Sequence, residues 1–118
     1  MISMEISNVG VDIVDIERFR KKEYNENKKF YEKIFSKSEI QYCLSFKNNS
    51  EHFAGKFAIK EAVKKSIKEN IGFKEILTNH KKSKPQIVLK KKLSYRFLVS
   101  VSHEKDYAIA MVISLIDN

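Results

Sequence analysis

The chain has 118 residues and a mass of 13.8 kDa, which is enough for one compact core and too little for two ordinary domains. A hydrophobic fraction of 42% excludes the disordered class of proteins, despite 32% charged residues. The formal net charge of +8 favours an anionic partner: a nucleic acid, a phosphorylated cofactor, an acidic protein or an anionic membrane. We therefore predict a single domain over residues 1–118.

The first part of the chain has the pattern of a strand followed by a short helix. Residues 6–14 alternate with the two-residue period of a strand. Asp15 can then cap a short basic helix over residues 16–22, and a polar stretch follows that helix.

Two further helices are predicted in the middle of the chain. Ser36 and Glu39 have the spacing of a capping box, which indicates a helix over residues 38–46. Apolar residues recur three and four positions apart over residues 50–69 and predict the longest helix there. That helix is apolar around much of its girth, so we expect protein on several of its sides.

After Gly72 the pattern changes to short strands. The predicted strands are residues 73–78, 85–89, 95–102 and 107–116, with polar turns over 79–84 and 103–106. The last two strands should form an antiparallel hairpin. The predicted fold class is α+β, with a mostly antiparallel sheet packed around one long helix.

Location can be predicted from the cysteine content and from hydropathy. A single cysteine, Cys43, cannot form an internal disulfide, and three scattered histidines do not have zinc-site spacing. No basic and apolar leader opens the chain, and residues 107–116 are far shorter than the ~18 residues of a membrane span. We expect a cytoplasmic protein with no membrane partner.

Asp12 is the first candidate site residue because it interrupts an otherwise apolar strand. An ionised carboxylate is costly to bury unless a cation, a metal ion or hydrogen bonds compensate it. The alternative is an exposed strand end, where Asp12 merely caps the next helix.

Glu61 is the second candidate. On a helical wheel it lies beside Ala54 and Ala58, whose small side chains leave room for a ligand, and Lys65 follows one turn later. The alternative is an ordinary Glu-to-Lys pair at i, i+4, which stabilises a helix by only ~0.3–0.5 kcal/mol.

Two carboxylates from different elements suit a hard ion such as Mg²⁺, with substrate phosphate completing its ligands. A nearby lysine could then neutralise phosphate charge. Other lysines of the long helix repeat every four residues, and this spacing predicts a solvated stripe without a functional role. They are Lys56, Lys60, Lys64 and Lys68.

Three segments carry a resemblance to a known family. They are GVDIVDIERF at 10–19, FAGKFAIKEA at 53–62 and VSVSH at 99–103. Their order and approximate spacing resemble those of holo-acyl-carrier-protein synthases, the small 4′-phosphopantetheinyl transferases. The resemblance runs over nearly the whole chain, although Ser83 stands where the family usually has Gly before Lys-Pro.

This resemblance implies an activity and two partners. The activity is transfer of 4′-phosphopantetheine from coenzyme A to a serine of an acidic acyl carrier protein, with release of adenosine 3′,5′-bisphosphate. It also implies a homotrimer with active sites between subunits.

The matched residues receive roles by the same resemblance. Asp12 and Glu61 become the Mg²⁺ ligands, and Lys65 faces the pyrophosphate. Glu61 is the first candidate for the base that accepts the serine proton and His103 the second, unless His103 is only a polar turn residue. The other donor contacts are Lys56, Ser102 and His103 near the phosphates, and Lys84 and Pro85 near the adenine.

The short basic helix would dock the acidic carrier protein by complementary charge through Arg18, Arg20, Lys21 and Lys22. The alternative is a solvated helix face. Of these four residues, only Arg18 lies within a matched motif.

Two other functions remain open at this point. A basic nucleic-acid-binding module is supported by the net charge and by the lysine runs at 81–84 and 90–92. We rank it below the enzyme and expect no nucleic-acid partner, because arginine is scarce and no nucleic-acid motif is present. The third candidate is an inactive relative that only binds the carrier protein.

Overall fold

The computed structural model describes residues 3–117, and no helix within that range is long and apolar enough to cross a membrane. The elements in chain order are β1 (Met4–Asp15), α1 (Glu17–Arg20), α2 (Lys28–Glu32), α3 (Lys37–Leu44), α4 (Asn49–Ser66), β2 (Ile76–Lys81), β3 (Lys84–Leu89), β4 (Tyr95–Glu104) and β5 (Tyr107–Asp117). Single 3₁₀ turns lie at Tyr24–Glu26 and Phe73–Glu75.

The strands form two antiparallel sheets. The first has the order β1-β5-β4, and the second is the hairpin of β2 and β3. Helix α4 packs against β1 and β5 of the first sheet. The predicted α+β class, the antiparallel pairing and the hairpin of the last two strands are confirmed.

Local side-chain bonds begin two of the helices as predicted. Ser36 Oγ accepts from the backbone N–H of Glu39 at 3.2 Å, and the N–H of Ser36 donates to Glu39 Oε1 at 2.7 Å. This is the predicted capping box. At α1, the carboxylate of Asp15 accepts from the N–H of Glu17 at 3.0 Å.

An aromatic cluster fills the space between α4 and the short helices. The ring of Phe53 on α4 lies 4.6 Å from that of Tyr31 and 5.2 Å from that of Phe35, centroid to centroid. Cys43 of α3 is fully buried beside this core, and burial raises the pKa of its thiol to about 12. Helix α4 is therefore covered by the sheet and by the short helices, as the apolar residues on several of its faces predicted.

The prediction of a solvated lysine stripe is wrong for two of its four members. Lys60 is 0% exposed and Lys56 is 3% exposed. Lys60 Nζ donates to Glu39 Oε1 at 2.7 Å and to the backbone oxygens of Ile34 and Phe73 at 2.9 and 3.0 Å. Spacing along one helix cannot reveal acceptors that other elements supply.

Several predicted boundaries also differ. Helix α4 ends at Ser66, not at residue 69, because the hydroxyl of Ser114 on β5 donates to the Ser66 carbonyl at 2.6 Å and Ile67 is extended. The polar stretch after α1 contains α2, which is anchored by the buried ring of Tyr31.

Strands β2 and β3 form a hairpin whose boundaries differ from the predicted strands at 73–78 and 85–89. Its first strand begins at Ile76, because the carboxylate of Glu75 accepts from the N–H of Gly72 and closes a 3₁₀ turn. The strands then pair as far as Lys81 and Lys84, so the predicted turn over 79–84 shrinks to two residues.

The outward side of the β1-β5-β4 sheet is apolar and exposed. We call it the outer sheet face; its large exposed side chains are Val9, Val11, Ile13, Leu98, Tyr107, Ile109 and Met111. Large apolar patches of this kind mark interaction surfaces more often than they mark solvated surface.

Gly10 lets β1 approach α4 closely. A Cβ atom at this position would lie 1.9 Å from the carbonyl oxygen of Ala62 and 2.9 Å from its carbonyl carbon. Only a residue without a side chain fits there, and Asp12 follows two positions later on the same side of the strand.

Replacing Gly10 by Ala should therefore destabilise the protein by about 3 kcal/mol or more, since backbone on both sides must move. The free energy of unfolding in urea measures this effect. Gly72→Ala is the matched control, because nothing lies within 4 Å of its added Cβ. Equal stability of the two variants would contradict the close contact of β1 and α4.

A glycine in the turn between β2 and β3 should increase the stability of the protein. Lys82 and Ser83 have φ angles of 52° and 66°, the type I′ arrangement in which glycine is favoured. Ser83→Gly should raise the free energy of unfolding by about 0.5–1 kcal/mol, because it removes left-handed strain. Ser100→Gly within β4 should lower it, and a loss of stability in Ser83→Gly would refute this assignment.

Candidate active site

The structure brings Asp12 and Lys65 together. Asp12 Oδ1 accepts from Lys65 Nζ at 3.1 Å, and the same ammonium donates to the backbone oxygen of Val11 at 3.0 Å. The side chain of Asp12 is only 15% exposed. The alternative of an exposed, helix-capping Asp12 is therefore wrong, and Asp15 supplies the cap instead.

Glu61 lies one helical turn before Lys65 on α4 and is half-buried. Within residues 3–117 no ion pair joins these two residues, since Lys65 turns to Asp12. The ordinary i, i+4 pair is therefore not formed. Ala54 and Ala58 are fully buried, so their small size serves close packing and does not leave the predicted room for a ligand.

This arrangement suits a metal ion that takes few protein ligands. The described part of the chain contains no group of three or more His, Cys, Asp or Glu residues placed to hold a metal ion. Mg²⁺ is commonly held by one or two carboxylates together with substrate phosphates and water. Asp12 and Glu61 are carboxylates of the type that such a site uses, and the described residues form no closed protein cage.

A second group of predicted residues lines a cavity of about 370 Å³. We call it the histidine cavity, because His52, His80 and His103 all line it together with Lys56. His103 Nδ1 lies 3.6 Å from a carboxylate oxygen of Glu51. The three histidines come from α4, β2 and β4, so their meeting depends on tertiary structure that no sequence spacing shows.

Aromatic stacking fixes two of these histidine rings. Phe46 stacks on His52 at a centroid distance of 3.7 Å, and Tyr42 stacks on His80 at 4.4 Å. Burial lowers the pKa of both histidines, and neighbouring positive charge lowers it further. Both rings therefore favour their neutral form more than an exposed histidine does.

Lys56 is a buried ammonium whose hydrogen bonds go to Thr78. Its Nζ donates to Thr78 Oγ1 at 2.8 Å and to the Thr78 carbonyl at 3.3 Å, and it lies 4.7 Å from the ring centre of Tyr42. No carboxylate among residues 3–117 lies within ion-pair distance of it. Burial lowers its pKa. Sequence analysis did not identify Thr78, His52 or His80.

The predicted donor residues line more than one cavity, and His103 lines two of them. Ser102 and His103 border a cavity of about 390 Å³ together with Ile13 of β1. Lys84 and Pro85 border another, between β3 and β4. The predicted residues therefore do not converge on one cavity within a single chain.

The four basic residues predicted to dock a carrier protein are all exposed, but they differ in their contacts. Arg20 Nη2 donates to the carbonyl of Lys105 at 2.7 Å, and Nη1 lies 3.6 Å from Asp106. Arg18 lies over the ring of Phe57, and Lys22 over that of Phe30. Arg20 thus ties α1 to the turn between β4 and β5.

Comparison with known proteins identifies the family of this chain. Residues 8–112 match the model of the 4′-phosphopantetheinyl transferase superfamily. The holo-[acyl-carrier-protein] synthase of Chlamydia felis is 40% identical, over 96% of this chain and all of the relative.

Solved structures agree with this match. The holo-(acyl-carrier-protein) synthase of Bacillus anthracis in complex with CoA (3′,5′-ADP) has a TM-score of 0.82 and 27% identity, covering 97% of this chain and 99% of that one. The Helicobacter pylori enzyme in complex with coenzyme A has a TM-score of 0.77 and 33% identity, covering 90% and 98%. The resemblance carried by the three sequence motifs is confirmed: the chain belongs to the 4′-phosphopantetheinyl transferase superfamily, as one of its holo-[acyl-carrier-protein] synthases.

Proposed function

We propose that the protein transfers 4′-phosphopantetheine from coenzyme A to a serine of an acidic acyl carrier protein in a Mg²⁺-dependent reaction. The observation that carries this proposal is the contact of Asp12 on β1 with Lys65 on α4, one helical turn after Glu61. The complexes of the Bacillus and Helicobacter relatives support coenzyme A as the donor.

Asp12 and Glu61 would hold the metal ion, which supplies Lewis-acid stabilisation of the charge on the diphosphate. Lys65 is 54% exposed, and its ammonium forms an ion pair with the carboxylate of Asp12. With a metal ion held by Asp12 and Glu61, the long side chain of Lys65 would be able to reach the pyrophosphate. The carboxylates and the lysine thus act on the same phosphate group.

The reaction is a displacement at phosphorus. The serine oxygen of the carrier protein bonds to the β-phosphorus, and the bond from that phosphorus to the bridging oxygen of the α-phosphate breaks. Adenosine 3′,5′-bisphosphate leaves with that oxygen. The serine proton passes to Glu61 as the first candidate base, with His103 as the second.

The buried ammonium of Lys56 supports an anionic ligand in the histidine cavity. A buried charge without a counter-ion is costly, and an incoming phosphate compensates it. We accordingly assign Lys56, Ser102 and His103 to the donor's phosphates and keep Lys84 and Pro85 as adenine contacts. Coenzyme A carries a 3′-phosphate and a diphosphate at separate positions of one nucleoside, which suits a divided binding site.

The position of these residues on α4 supports a division of the site between subunits. Lys56 and Glu61 are five residues apart, so they project about 140° apart around the helix axis. The outer sheet face is apolar and exposed, which supports an interface between copies of the chain. We propose the homotrimer that the family resemblance implies, with donor contacts supplied by neighbouring subunits.

The docking surface for the carrier protein would be α1 and the residues just after it. Arg18, Lys21 and Lys22 are exposed and suit an acidic partner, whereas Arg20 is engaged within the chain. Such rim charges mainly set the association rate and its dependence on salt. We propose a cytoplasmic reaction, and we assign no role in nucleic-acid binding to the exposed lysine runs.

The direct test is to incubate the protein with coenzyme A, Mg²⁺ and an apo acyl carrier protein, and to weigh the carrier by mass spectrometry. A gain of one phosphopantetheine group is expected. Asp12→Asn and Glu61→Gln should each lower kcat/KM by about 100-fold or more, because each removes a charge that holds the metal ion.

Glu26→Gln, at an exposed acid outside the site, is the matched control and should have the activity of the unmodified protein. Circular dichroism and native mass should be unchanged in all three variants. No mass gain with any acyl carrier protein would reject the transferase proposal. Near-normal rates in Asp12→Asn or Glu61→Gln would reject the metal assignment alone.

The interface can be tested with one lysine. Val11→Lys places a charge in the outer sheet face and should convert the oligomer to monomers with little activity, because a buried charge is costly. Val88→Lys is the control, since Val88 is 49% exposed but lies on β3. Light scattering measures the mass; an oligomer that persists in Val11→Lys would exclude this face as the interface.

A further inference from the structure

Thr78 lies between the two buried lysines of α4. Its hydroxyl donates to Glu39 Oε2 at 2.7 Å and its backbone N–H donates to the same oxygen at 2.7 Å. The other carboxylate oxygen, Oε1, accepts from Lys60. On its other side, Thr78 Oγ1 accepts from Lys56 Nζ at 2.8 Å.

The direction of these bonds is determined by chemistry. An ionised carboxylate only accepts and an ammonium only donates, so the single hydroxyl proton of Thr78 must point to Glu39. Although burial raises the pKa of Glu39, its bonds to Lys60, Ser36 and Thr78 outweigh that effect and lower the pKa. The lone pairs of Thr78 Oγ1 are then directed at Lys56.

The lysine ammonium is held on one side only. Of its three N–H donors, the two acceptors on Thr78 take two, and no oxygen or nitrogen atom within residues 3–117 accepts from the third. Lys56 lines the histidine cavity, where Tyr42 and His80 border it but offer it no hydrogen bond. Its orientation therefore depends on Thr78.

We propose that Thr78 is a positioning residue for donor binding, whose hydroxyl aims the ammonium of Lys56 at a phosphate in the histidine cavity. This inference rests on the proposed function, because that function supplies a donor with phosphate groups. Thr78 itself need not touch the donor. Glu39 holds the Thr78 hydroxyl in place, because its carboxylate accepts hydrogen bonds from that hydroxyl and from Lys60.

Thr78→Val tests the proposal, because valine keeps the shape of threonine and removes the hydroxyl. The KM and the dissociation constant for coenzyme A should rise about tenfold, as expected for a lost hydrogen bond to a charged group, while kcat stays within twofold. Thr78→Ser restores the hydroxyl and should restore the affinity. Lys56→Met should raise KM at least as much as Thr78→Val.

Ser114→Ala is the matched control, because it removes a buried hydroxyl that bonds to the Ser66 carbonyl far from Lys56. It should lower stability without changing the affinity for coenzyme A. If Thr78→Val does not fold, Thr78→Ala takes its place in the same two measurements, with Thr78→Ser as its reference.

The outcomes separate the two proposals. An unchanged affinity in Thr78→Val, with a raised KM in Lys56→Met, would overturn the positioning role and leave the transferase proposal standing. Equal losses of affinity in Thr78→Val and Thr78→Ser would also overturn it, because the hydroxyl would then not matter. Absence of transfer by the unmodified protein would instead reject the proposed function.

Discussion

The contact between Gly10 and the backbone of Ala62 determines where the charged groups of the site lie. Because no side chain separates them, β1 lies directly on α4, and the strand carries Asp12 to within 3.1 Å of Lys65. A carboxylate from one element and a lysine from another are thereby held by packing of the backbone itself. Rigid elements hold such a site more precisely than loops do.

The core of this protein is organised around charge as well as apolar packing. Glu39 accepts from Lys60 directly and from the Thr78 hydroxyl, which in turn accepts from Lys56, so one chain of hydrogen bonds joins the two buried ammonium groups. Removing one member of such a network leaves another unsatisfied, at a cost of several kcal/mol. The interior therefore specifies the placement of α3, α4 and β2 relative to one another, which apolar side chains alone do less strictly.

Local patterns predicted the elements of the fold well, and tertiary relations poorly. The capping box at Ser36, the alternating strand around Asp12 and the apolar girth of α4 follow from neighbouring residues, and the structure confirms them. The burial of Lys60 and the meeting of the three histidines depend on acceptors and partners brought in from distant elements. The residue pattern and the motif resemblance both selected Asp12 and Glu61, with Lys65 one turn later, whereas neither pointed to Thr78, because its contacts come only from its neighbours in space.

The burial of Cys43 has a practical consequence. Its thiol is fully enclosed between α3 and the aromatic cluster, and a pKa of about 12 leaves almost no thiolate at neutral pH. Alkylating and oxidising reagents can reach it only when the chain opens locally or unfolds. Since it is the single cysteine, its rate of modification reports directly on how often this part of the molecule exchanges with an open state.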